Sequence, residues 1–158
     1  IEKLAVSEGW YANCIIISIL FREGLLNLGI DNTLEKGFLL QHEKYALLHY
    51  WVSVAGHNIN ITARINERVN PLIKKHLKNA RSKLSRTIPE NHERIDQDTS
   101  EEIAQLREME TMYNLYNQNK SRFWLAVQRK LVDTPIYNTI MKLKTAINDF
   151  TQSANTNV

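Results

Sequence analysis

Cysteine, glycine and proline are all scarce in this chain. Cys14 is the one thiol among 158 residues, so no internal disulfide can form and the fold must rest on packing. A lone cysteine fits a reducing, cytoplasmic setting. Five glycines and three prolines are few for the many tight turns of an all-β chain of this length. Long helices follow as the expectation. Long apolar runs are missing too. Cys14 to Phe21 (CIIISILF) contains a serine and stops at Arg22-Glu23, whereas a membrane span needs about 20 apolar residues. No integral membrane segment is expected. The run has no basic flank or small-residue cleavage site, so it does not read as a signal peptide. The first residue is Ile1 rather than methionine, as in a processed or excised piece, which would put any upstream signal outside the sequence.

Motifs that carry chemistry are also lacking. There is no P-loop, no G-x-G-x-x-G and no G-x-S-x-G, so no cofactor is implied and catalysis at a standard site is not expected. His42 and His49 lie seven apart, too far to share a metal easily, and neither HExxH nor Glu-x-x-His occurs. Cys14 sits in the most apolar run, where a thiol is unreactive, and reads as core. Trp10, Trp51 and Trp124 fall on predicted apolar stripes and read as core as well. Arg22 and Glu23 mark the side where the first helix meets solvent.

What is present is helical periodicity. A first helix, about Lys3 to Leu28, carries the stripe Trp10, Cys14, Ile17, Phe21, Leu25 and Leu28. Further isoleucines and leucines on its other faces make it the central buried element. Gly29 to Asn32 reads as a stop and a new cap. A second helix is predicted from Thr33 to Ala55 on Leu34, Phe38, Tyr45, Leu48 and Val52. A third covers Ile59 to Arg86, restarting at Asn70-Pro71. Residues 87–99 form a polar loop. A fourth helix follows to Val132, opened by Thr99 and Glu102 at capping-box spacing and open to a break at Asn117 to Ser121. A fifth starts at Pro135 on the stripe Ile136, Ile140, Leu143, Ile147 and Phe150. The expected fold is therefore all-α, a bundle of five to six helices around a central apolar helix. It forms one domain, 1–158, with a candidate subdivision at 87–99 and a disordered tail at 152–158.

The charge distribution is the informative feature. Residues 64–94 carry +6, against −2 before them and −1 after. Between Pro71 and Arg86 lie Lys74, Lys75, Lys78, Arg81, Lys83 and Arg86 with no acidic residue. All but Lys83 fall opposite the apolar positions Ile73, Leu77, Ala80 and Leu84. Packing does not require a solvated face to be all-positive, so this face reads as anion-binding, extended by Arg64, Arg68 and Arg94. The expectation is a non-catalytic helical module of a larger assembly. It contacts a nucleic-acid backbone, RNA or DNA, through Lys74, Lys75, Lys78, Arg81, Arg86, Arg64 and Arg68. The alternative is a helical protein–protein scaffold whose basic face meets an acidic subunit.

A third reading rests on a resemblance. The stretch Ser7 to Leu28 (SEGWYANCIIISILFREGLLNL) resembles the amphipathic opening helix of HEPN-type helical ribonucleases. That family implies an Arg followed four to six residues later by His on one helix. The spacing occurs here only at Arg86 and His92 (RTIPENH), across Pro89 and within the predicted loop. The resemblance therefore covers one helix and stops short of the catalytic pair.

Overall fold

The computed structural model describes residues 14–41, 43–61 and 83–131, together with helical positions at 138, 141, 142, 144–146 and 149. It is not an all-α bundle. A curled, half-barrel β-sheet forms its centre, and helices pack around it. In chain order the elements are α1 (Cys14–Asn27), β1 (Thr33–Gln41), β2 (Tyr45–Val54), β3 (His57–Ile59), β4 (Lys83–Ser85), β5 (Glu93–Arg94), α2 (Ser100–Gln118) and α3 (Lys120–Leu131). The sheet order is β3-β2-β1-β4, antiparallel throughout, while β5 joins β2 in parallel at its start.

α1 is the buried element that its composition demands. Ile15, Ile16, Ile17, Ile19 and Leu20 are almost fully buried. Side chains of this size are worth about 1.5–3 kcal/mol each on full burial, so this half of the helix anchors the core. It packs chiefly on β2, meeting Tyr50 and Val52, and α2 and α3 add Tyr116, Phe123 and Val127. The helix stops where expected. Gly29 has φ 76°, its N–H reaches Leu26 O at 2.9 Å, and Ile30 N–H reaches Leu25 O at 2.9 Å. That pair of bonds is a Schellman close, which needs a residue free to take positive φ.

The predicted second helix, Thr33 to Ala55, is instead the β1–β2 hairpin. Leu34 pairs with Val52, Phe38 with Leu48 and Leu40 with Ala46. Leu34, Phe38, Leu48 and Val52 fit a helix because they recur in steps of four. A step of four preserves parity, so it also keeps residues on one face of a strand. Tyr45 breaks that parity and lies on the opposite face. The hairpin also carries the aromatic and β-branched residues that suit a pleated surface, concentrated in Tyr50, Trp51, Val52 and Val54. The all-alpha and helical-bundle reading is thus replaced by a mixed α/β one. Most of the predicted third segment, 62–82, lies outside the described residues. Its end is not helical: Lys83–Ser85 forms β4, with Leu84 opposite Leu39.

The predicted loop 87–99 contains β5. The free edge of β2 between β5 and β3 is closed by a side chain, since Asp96 Oδ2 accepts the Leu48 N–H at 2.7 Å. Asp96 Oδ1 takes Arg94 Nε at 2.8 Å. The predicted fourth helix is present and is interrupted inside its polar patch. Thr99 caps α2, receiving Glu102 N–H at 3.1 Å while its hydroxyl donates to Glu102 Oε1 at 2.9 Å. Asn119, extended at φ −160° and ψ 103°, separates α2 from α3. Its Oδ1 accepts the Arg122 N–H at 3.1 Å and so opens the next helix. The predicted fifth stripe, Ile136 to Phe150, lies outside the described residues, while the described positions between Asn138 and Asp149 are helical. No helix among the described residues is long and apolar enough to cross a membrane.

Candidate functional site

The two faces of the hairpin differ in kind. Even-numbered residues of β1 and β2 turn to α1 and the core. Odd-numbered residues form a second face that gathers polar chemistry: Glu35 lies opposite Trp51, and Gly37 opposite His49. The face is tied together by hydrogen bonds. Ser53 Oγ donates to Glu35 Oε1 at 3.0 Å, Trp51 Nε1 donates to Asn58 Oδ1 at 3.0 Å, and His49 Nε2 lies 2.9 Å from Asn60 Oδ1. The His49 and Trp51 rings stack with 6.4 Å between centroids.

Arg86 belongs to this face. It follows β4 beside Gly37, and its Nη2 donates to Glu35 Oε1 at 2.9 Å. Its side chain remains 75% exposed, whereas that of Glu35 is 12% exposed. A guanidinium has five N–H donors, so one carboxylate contact leaves most of them facing water. Gly37 makes the approach possible. A β-carbon there would meet the Ser85 carbonyl oxygen and stand 2.6 Å from Trp51 Cη2.

Of the seven predicted anion-binding residues, Arg86 alone is described; Arg64, Arg68, Lys74, Lys75, Lys78 and Arg81 lie outside the described residues. Arg86 follows a strand rather than ending a helix, which corrects the basic-helix reading at that end. Lys83 is exposed at the start of β4. Arg94 is spent on structure: it pairs with Asp96 and its guanidinium lies 5.5 Å from the Phe38 ring centroid. The Arg–His pair of the ribonuclease resemblance is not assembled. Arg86 turns to Glu35, and His92 Nδ1 lies 2.8 Å from Asn91 Oδ1.

Trp10 and His42 lie outside the described residues, while the other residues singled out above have structural partners. Cys14 is buried, its thiol is pushed up in pKa chiefly by desolvation, and it reaches Met109 Sδ at 3.9 Å. Arg22 holds the carbonyl and side chain of Asn32, at 2.9 Å from Asn32 Oδ1, bracing the turn into β1. Glu23 accepts the Tyr116 hydroxyl and lies 3.1 Å from Lys120 Nζ, tying α1 to the α2–α3 junction. Trp124 has Lys144 Nζ 4.6 Å above its ring. His49 is held below its ordinary pKa, chiefly by desolvation, so it is the neutral imidazole at physiological pH. No group of three or more His, Cys, Asp or Glu among the described residues could hold a metal ion.

The polar ladder Glu35, Ser53, His49, Asn58 and Asn60 escapes sequence reading because helical periodicity scatters these residues around a cylinder. Alternation along 33–41 and 45–54 is the signal that gathers them. The result is a mixed α/β half-barrel with a cationic corner at Arg86. Comparisons with family models, curated proteins and solved structures find no match to this chain.

Proposed function

We propose that this chain is a non-catalytic binding module whose basic segment contacts an anionic polymer, the backbone of a nucleic acid, without reading its sequence. The observation that carries this reading is the charge of residues 64–94, with nine basic and three acidic side chains. Cations in such excess exchange condensed counterions for phosphate contacts. Two features of the sheet support it. Lys83 is exposed, and Arg86 is pinned at its root by Glu35 while most of its donors face solvent. An arginine oriented in this way can meet a phosphate with little further ordering.

The test is fluorescence anisotropy with duplex and single-stranded RNA and DNA over a salt series. Binding should weaken steeply with salt and depend little on sequence. Replacing Lys74, Lys75, Lys78, Arg81 and Arg86 by Gln should flatten the slope of log K against log salt, by about 0.9 for each duplex phosphate that is no longer neutralised. No binding at about 50 mM salt, where backbone contacts are strong, overturns the reading. So does a partner captured from lysate through the same cations that survives nuclease, which makes the ligand an acidic protein.

A further inference from the structure

Two outward stripes, one on α2 and one on α3, carry opposite charge. Glu101, Glu108 and Leu115 on α2, and Arg122 and Arg129 on α3, recur every seven residues, a spacing that within each helix returns to nearly the same side. Leu115 is half-buried and the other four are exposed. On α3 the stripe is Arg122, Leu125, Ala126 and Arg129, while Phe123 and Val127 turn to the core. With Leu115 these residues line an open groove of about 710 Å³. Leu125, at 49%, is the most exposed large apolar side chain among the described residues. Neither the Arg122 nor the Arg129 guanidinium meets a carboxylate among the described residues.

α2 carries the counterpart. Glu101, Ala104, Gln105 and Glu108 repeat the same i, i+3, i+4, i+7 spacing with the opposite charge, and all four are exposed. The small Ala104 leaves room for a side chain the size of Leu125. A carboxylate has about four acceptor sites, so Glu108 can take an arginine in addition to a partner it already has. Asn119 alone joins α2 to α3, too short a link for one chain to lay the two stripes on each other. A two-fold axis can, because it sets α3 of one copy along α2 of the other and repeats the contact by symmetry.

We propose that a second copy of this chain docks on this surface, α3 of each copy against α2 of the other, with Leu115 at the centre of the contact and Leu125 of each copy over Ala104 of the other. This proposal is independent of the nucleic-acid reading, since none of the residues belongs to the basic segment.

Sedimentation velocity on the full chain, from low concentration to about 100 μM, tests for a weak dimer. The wild-type chain should double its mass with concentration, less so as salt rises. Arg122→Glu/Arg129→Glu should be monomeric, and Glu101→Lys/Glu108→Lys likewise, each with wild-type circular dichroism. An equimolar mixture of the two should form a heterodimer, because both interfaces then regain opposite charges. A wild-type chain that stays monomeric throughout overturns the proposal. So do charge-reversed chains that still self-associate, or a mixture of the two folded variants that stays monomeric. Capture of an acidic helix from another protein on the arginine stripe, without self-association, also overturns it.

Discussion

The indole of Trp51 lies over Gly37 of the neighbouring strand, close enough that a β-carbon at 37 would stand 2.6 Å from Cη2. Trp51 is 2% exposed and cannot swing away into solvent. On the other side the Ser85 carbonyl, which is backbone, closes the same space. Gly37→Ala should therefore destabilise the chain by about 1–3 kcal/mol, the usual range for overpacking. Urea denaturation followed by tryptophan fluorescence measures this. A loss below about 0.5 kcal/mol, the level of an ordinary surface change, would show that the hairpin yields.

Two tyrosines should answer oppositely to loss of their hydroxyls. The Tyr50 hydroxyl is buried with no hydrogen-bond partner among the described residues, while the Tyr116 hydroxyl donates to Glu23. An unpartnered buried polar group costs about 1–3 kcal/mol. Tyr50→Phe should leave stability unchanged or raise it. Tyr116→Phe should lower it by about 1–2 kcal/mol, because it strips a charged acceptor of its donor. Parallel denaturation of both variants is the check, and equal losses would contradict it.

The turn between β2 and β3 is Ala55-Gly56, with φ 51° and 81°. Two positive φ values in a two-residue hairpin loop describe a type I′ turn, which asparagine favours at its first position. Alanine in this region costs about 1 kcal/mol. Ala55 is exposed, so Ala55→Asn should stabilise the chain by about 0.5–1 kcal/mol, read as a rise in Tm.

The His49 pKa lies below its ordinary 6.5, chiefly because of desolvation. The unfolded chain then binds the proton more readily than the folded one, so stability rises with pH wherever the two differ. His49 contributes its full effect above about pH 6.5, and that contribution is lost as pH falls through the lower folded value. Denaturation midpoints should fall on acidification below 6.5, and His49→Gln should flatten that part of the profile. An imidazole NMR titration placing His49 at or above 6.5 would remove the basis for this.

Local features of the sequence survive in the structure wherever the partner is close along the chain. The Gly29 stop, the Thr99–Glu102 box and the interruption near Asn119 each depend on bonds spanning a few residues. The central apolar helix is legible for another reason: a helix apolar on most sides has nowhere to go but inside. The strands are not legible. Leu34, Phe38, Leu48 and Val52 satisfy both periods, and the deciding hydrogen bonds run between β1 and β2 rather than within either. Gly37 holds a clue. A glycine amid bulky apolar residues marks a place where another chain segment comes close, and here that segment is Ser85-Arg86.

The order of amino acids was enough to set the buried helix, its caps and breaks, and the concentration of positive charge at 64–94, because those depend on composition and on neighbours a few residues away. It took three-dimensional packing to make 33–54 a hairpin, to bring Glu35 to Arg86, and to close the edge of β2 with Asp96. The last two contacts join residues about 50 apart in the chain, and a pairing at that distance is set by the packing of the whole sheet rather than by any local preference.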